Sequence, residues 1–202
     1  MLQNPEPTLI LASASEVRRT LLANAGLRFC AEAAAIDEAE IKRTAGASGD
    51  TAEQTAFALA GLKARRVARR FPDAVVVGAD QILVCDGEWF DKPEDQAAAR
   101  RQLLALQGRT HVLATAVVCQ RADRLLWHNI ARPRLTMRAF PDGFLDDYLT
   151  AEGDRVLGSV GAYRLEGLGI HLFDRIDGEH TAILGLPLLA LLGFLRQHGV
   201  VR

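Results

Sequence analysis

Residues 8–24, TLILASASEVRRTLLAN, run a short apolar segment through three small or hydroxyl-bearing residues directly into an amphipathic pattern. Residues 8–12 read as a strand, and residues 16–24 as a helix that Ser15 caps and Gly26 stops. Strand, polar loop and helix amino terminus thus follow in one step, and the same alternation recurs along the chain. It predicts a helix over 51–71, strand segments at 75–77 and 82–85 on either side of Asp80, and a turn at Asp86-Gly87. A helix follows from Pro93 to Leu106, closed by Gly108, then a strand pair at 111–119 and 125–129, a strand at 134–138 and a helix at 141–151. The glycine-rich stretch 158–178 predicts strands joined by tight turns. Residues 181–195 predict a buried strand end running into a core helix, with Pro187 allowed in the first turn of a last helix over 186–198. The fold class is α/β, without internal repeat or linker.

Composition narrows the function classes. The chain has 202 residues, 24 Lys+Arg against 25 Asp+Glu, and 49% hydrophobic residues. A chain of this size buries roughly 70% of its unfolded surface, so it needs neither staple nor metal merely to fold. A net charge of -1 gives no general attraction to phosphate backbones, and 6% aromatic residues offer few stacking platforms, so a nucleic-acid partner is not expected. Any phosphate recognition must be local. Cys30, Cys85 and Cys119 show neither disulfide nor zinc spacing, which fits a reducing cytoplasm. The amino terminus lacks the basic residues of a signal peptide. The apolar stretch 181–195 falls short of the roughly 20 residues needed to cross a bilayer, so no membrane partner is expected.

Four places carry candidate chemistry. Ser13, Ser15, Arg18 and Arg19 surround a helix amino terminus, where unpaired backbone N–H groups favour an anion and guanidinium forks match phosphate oxygens. The same residues also suit a capped helix with solvated arginines. Asp80 ends an apolar strand run beside Gly78 and Ala79, a common position for a ligand-facing carboxylate on an α/β sheet, and Lys92 follows in a loop beside Asp91. A turn aspartate and a surface lysine are the plainer reading. Asp37-Glu38 forms a carboxylate pair in a predicted loop; if it lies opposite Asp80, the two segments could share a magnesium ion, which implies a phosphate substrate. Lys63 sits at helical spacing with Ala56, Leu59, Ala60 and Val67, a cation on an apolar stripe that must snorkel or find an anion. Arg65, Arg66, Arg69 and Arg70 read as a solvated helix face. No P-loop, dinucleotide fingerprint or serine-hydrolase elbow is present, and the five histidines lack ligand spacing.

The segments LASASEVRRTLL (11–22), IDE (36–38), LAGLKA (59–64), VVVGADQILVCDGEWFDKP (75–93), LQGRTHVLATAVV (106–118), GAYRLEGLGIHLF (161–173) and ILGLPLLALL (183–192) together resemble the Maf family over nearly the whole chain. The resemblance implies a mixed twisted sheet flanked by helices, with two lobes around a deep cleft in a single domain over 1–202, similar to inosine-triphosphate pyrophosphatases. It implies hydrolysis of a nucleoside triphosphate substrate between the α and β phosphates, with a divalent metal, Mg2+ or Mn2+, as cofactor. Carried over residue by residue, Asp80 looks like the proton acceptor. Glu38 and Asp80 would hold metal, and Ser13, Ser15, Arg18, Arg19, Lys63 and Lys92 would bind phosphates. The Ser-x-x-Arg-Arg spacing, Gln81 and the Glu166-Gly167-Leu168-Gly169 turn look like the branch acting on 7-methyl-GTP rather than dTTP or UTP. That makes Val17, Gln81 and Glu166 the specificity candidates, with Val17 standing where the branch resembles tryptophan. The resemblance also suggests a homodimer, a house-cleaning role on surplus or non-standard nucleotides and, as the alternative, a non-catalytic nucleotide-binding regulator of septum formation.

Overall fold

The computed structural model describes residues 3–141 and 143–202. In chain order the elements are β1 (Leu9–Ala12), α1 (Glu16–Asn24), β2 (Cys30–Ala31), α2 (Glu38–Ser48), α3 (Ala52–Ala68), β3 (Val75–Cys85), β4 (Glu88–Phe90), α4 (Gln96–Leu106), β5 (Thr110–Arg121), β6 (Arg124–Ala131), β7 (Arg134–Met137), α5 (Phe144–Glu152), β8 (Phe173–Asp177), α6 (His180–Ile183) and α7 (Leu188–Gln197). Short 3-10 segments at Gly153–Gly158, Val160–Ala162 and Leu168–Leu172 separate α5 from β8. The strands form a mixed sheet in the order β2-β1-β3-β5-β7-β8, with β4 on β3 and β6 on β5. β1 runs parallel to β2 and β3, whereas β3–β4, β5–β6, β5–β7 and β7–β8 are antiparallel.

The chain divides into two compact units. One comprises the chain up to Gln81 with Thr115–Ala131 and His180–Arg202; the other comprises Ile82–Ala114 and Arg132–Glu179. In the first unit, β1 and β3 pair from Leu9↔Val75 to Ala12↔Gly78. α3 presents Ala56, Ala60, Ala64 and Ala68, all fully buried, at four-residue spacing. Gly78 lets that small-residue ridge come close, since a Cβ there would lie 2.2 Å from the Ala60 carbonyl oxygen and 2.8 Å from the Ala64 nitrogen. Side chains alternate across a strand, so Asp80 shares the face of Gly78 and points toward α3. Val75, Val77 and Ala79 turn to the opposite face and join Leu9, Leu11, Val117, Leu186, Leu191, Phe194 and Leu195 in one apolar core. Trp127 of β6 stacks on Phe194 with ring centroids 5.2 Å apart.

In the second unit, Asp86 and Gly87 take φ of 50° and 86° and close the β3–β4 hairpin. β7 pairs with the first half of β5 and with β8. α4 packs on the 3-10 segments around Gly153–Gly158 and Val160–Ala162. His111 is fully buried, bonding through Nε2 to the Tyr163 hydroxyl at 2.8 Å, while its Nδ1 has no partner.

Four expectations from the sequence change. β3 continues through Gly78-Ala79-Asp80 instead of breaking there, because pairing with β1 and the close approach of α3 hold these poor strand formers extended. Asp37 is a helix cap rather than a loop residue; its carboxylate accepts from the Glu40 N–H at 2.9 Å and opens α2 at Glu38. The stretch 158–178 is largely 3-10 turns with one strand, and 180–183 is a short helix rather than a strand end.

Candidate active site

The first unit gathers a compact group of charges just past the end of β1 and at the middle of β3. Ser13 follows β1 and is buried; its Oγ accepts from the Ser15 N–H at 3.2 Å and from Arg18 Nη1 at 3.3 Å. Ser15 caps α1, accepting from the Arg18 N–H at 3.4 Å. Arg18 Nη1 also donates to the Ala79 carbonyl at 2.9 Å, and Nε to the Gly185 carbonyl at 2.7 Å. Burial pulls the Arg18 guanidinium below its ordinary pKa, opposed by the charges of Asp80 and Glu38. An arginine so placed remains a cation.

Lys63, on the buried stripe of α3, finds its anions. Its Nζ donates to Asp80 Oδ1 at 2.5 Å and lies 2.8 Å from Glu38 Oε1. Lys63 is 7% exposed and Asp80 4%. Burial alone would raise the Glu38 carboxyl, but the hydrogen bond and charge of Lys63, with Lys42 and Arg18, hold it below the usual carboxylate range. Two carboxylates and two cations therefore balance in one place. Burying the Lys63–Asp80 pair is costly in desolvation and is a poor way to stabilise a fold, and charged groups gathered in this way are common where a protein does chemistry.

Asp80 Oδ2 is buried with no hydrogen-bond partner. Among the described residues no group of three or more His, Cys, Asp or Glu could hold a metal alone. Magnesium usually takes one or two carboxylates and completes its shell with substrate phosphates and water. The partnerless oxygen of Asp80 and the neighbouring Glu38 carboxylate fit that arrangement, as hard oxygen donors to a metal shared with a triphosphate.

The structure thus brings together Ser13, Ser15, Arg18, Glu38, Lys63 and Asp80. Arg19 is instead ion-paired with Glu16 along α1. Val17 is half-buried on α1. Gln81 follows Asp80 on β3 but turns to the other face, where its Nε2 donates to Thr115 Oγ1 at 2.7 Å and to the Ala182 and Ile183 carbonyls, both at 3.1 Å. In the second unit, Lys92 is exposed beside buried Pro93. Glu166 accepts from Arg164 Nε at 3.3 Å. Arg164 Nη1 also donates to Glu152, a carboxylate 3% exposed, which accepts from the Leu168 N–H at 2.9 Å. A Cβ at Gly167 would lie 2.8 Å from Glu152 Oε1, so the glycine lets this carboxylate reach under the 166–169 turn.

Sequence reasoning assigned nothing to Thr115, Glu152 or Gly185. Thr115 had one faint signal, a lone hydroxyl in the apolar run LATAVV. Gly185 lay in a quoted segment without a role.

A family model described as Maf-like protein matches residues 8–198. A nucleoside triphosphate pyrophosphatase of Granulibacter bethesdensis is 55% identical over 190 residues, 94% of this chain and 96% of that protein. Another from Rhodospirillum rubrum is 50% identical over 195 residues, 96% of each. A 7-methyl-GTP pyrophosphatase of Rhizobium meliloti is 47% identical over 196 residues, 97% of this chain and 98% of that protein. With matches of this length and a cluster built from the residues the motifs single out, the chain belongs to the Maf-like protein family.

Proposed function

We propose that this protein hydrolyses nucleoside triphosphates between the α and β phosphates, giving a nucleoside monophosphate and pyrophosphate. The observation that carries the reading is the buried Lys63 ammonium between Asp80 and Glu38, beside a pinned Arg18. Water adds across the α–β anhydride, and a proton leaves it as the bridge opens. The Asp80 carboxylate accepts that proton. Arg18 and Lys63 neutralise the charge that builds on the phosphate oxygens, and Ser13 and Ser15 fix the helix end that presents Arg18. A divalent cation, when bound by Glu38 and Asp80, would add charge neutralisation on the phosphates.

The names of the relatives support nucleoside triphosphates, 7-methyl-GTP among them, as the substrate class, and we take surplus or non-standard nucleotides as the targets. The Glu166 carboxylate suits the N1–H and exocyclic amine of guanine, both donors. The test is pyrophosphate release from 7-methyl-GTP, GTP, ITP, UTP and dTTP with magnesium or manganese. Release concentrated on guanine-type bases supports the reading. Binding without release from any of them would replace hydrolysis with a nucleotide-binding regulator.

A further inference from the structure

Asp80 and Gln81 are consecutive on β3, and alternation sends them to opposite faces. Asp80 meets Lys63 of α3, whereas Gln81 meets the 180–185 turn. The two hydrogens of the Gln81 amide are shared among three acceptors, Thr115 Oγ1 and the Ala182 and Ile183 carbonyls. Two of these are backbone carbonyls, which cannot donate, so the nitrogen identity is fixed by the network itself. Its donor capacity is spent inside the protein. Thr115, fully buried on β5, donates its hydroxyl hydrogen bond to the Ala182 carbonyl at 3.1 Å. The Ala182 carbonyl also accepts from the Gly185 N–H at 3.0 Å.

That turn carries the carbonyl that holds Arg18. Gly185 has φ of +97°, and a Cβ there would lie 3.2 Å from Arg18 Nε and 3.3 Å from Nη2. The turn must therefore be held both close and in this conformation for the Gly185 carbonyl to accept from Arg18 Nε at 2.7 Å. We infer that Thr115 and Gln81 are positioning residues for Arg18, fixing the 182–185 turn so that the Gly185 carbonyl aims the guanidinium at the phosphate site. A long side chain with several rotatable bonds binds phosphate best when its fork is already oriented, and this network supplies the orientation from behind. On this account Gln81 affects the substrate through Arg18 and not by touching the base. The inference rests on the proposed phosphate role of Arg18.

The experiment is a double-mutant cycle on the full chain, read as affinity for inorganic pyrophosphate with magnesium. Thr115→Val keeps the shape and removes the hydroxyl, and should weaken binding about two- to twelvefold, the range of one neutral hydrogen bond. Thr115→Ser should restore it to within twofold. In an Arg18→Met background Thr115→Val should add no further loss. Equal loss in both backgrounds would overturn the inference. A second readout is the Arg18 Nε–Hε NMR resonance, expected to be protected from exchange in the parent and to lose that protection in Thr115→Val and Gln81→Met. An unchanged resonance would equally overturn it. Should Arg18→Met bind pyrophosphate like the parent, the phosphate role of Arg18 falls, and the resonance still reports whether Thr115 and Gln81 hold the guanidinium. Gln81→Met tests the same support from a half-buried position if the Thr115 variant fails to fold.

Discussion

Replacing Lys63 with Met is the sharpest perturbation of the charge cluster. The side chain is similar in length and apolar, so α3 keeps its packing while Asp80 and Glu38 lose the ammonium that lies 2.5 Å and 2.8 Å from their oxygens. Asp80 is 4% exposed, and the Lys63 ammonium is the partner of its Oδ1, while Oδ2 already has none. Breaking a buried pair by removing one partner costs about 3–5 kcal/mol. For a chain of this size that is a fall in Tm on the order of 10 °C. Two carboxylates that lose the Lys63 ammonium between them should also bind a divalent ion more tightly. At a manganese concentration 100 times the Kd, the regained stability is about 2.7 kcal/mol. The assay is thermal unfolding of Lys63→Met and the parent, each with and without manganese. An unchanged Tm in metal-free buffer, or equal manganese stabilisation of the two proteins, would refute the idea that Lys63 neutralises a cation-seeking pair.

Two further outcomes follow from single residues. Burial lowers the His111 imidazole to about 4, so it stays neutral in the fold while the unfolded chain takes up a proton below about 6.5. Stability is then lost as pH falls from about 6.5 to 4, by about 3 kcal/mol from this group; urea titrations at pH 7 and 4.5 should show a smaller loss for His111→Gln, and an equal loss would contradict it. Gly78→Ala would drive a methyl against the Ala60 carbonyl and should cost about 1–3 kcal/mol or more in urea unfolding, where no change would mean that α3 yields easily.

Residues with a local physical signature were legible in the sequence. Helix α1 runs over the residues its cap and stop signals predicted, since Ser15 and Gly26 act within a few residues. Lys63 was legible because a cation on an apolar stripe must snorkel or find an anion, and Asp80 because a carboxylate in an apolar strand run is a common ligand-facing position, although a turn aspartate fitted the same pattern. The unbroken course of β3 was not, because it depends on α3 reaching Gly78 from elsewhere in the chain. Nor was the placement of Glu38: Asp37 was read as half of a solvated acidic pair, although its spacing to Glu40 is that of a cap. Thr115 and Gly185 were hidden for a similar reason. Their roles arise only when β5 and the 180–185 turn meet behind Arg18. Spacing left two readings open, a metal shared by Glu38 and Asp80 and an anion at the Ser13–Arg19 helix end, and the resemblance turned both into expectations.

The central claim is that Asp80 takes the proton from the attacking water. Pyrophosphate release by Asp80→Asn and the parent, compared under saturating nucleotide with magnesium, tests it most directly. Asparagine keeps the shape but cannot serve as the base, so a folded variant should lose roughly 10²–10⁴-fold in kcat. Turnover within a few fold of the parent would remove Asp80 from the chemistry.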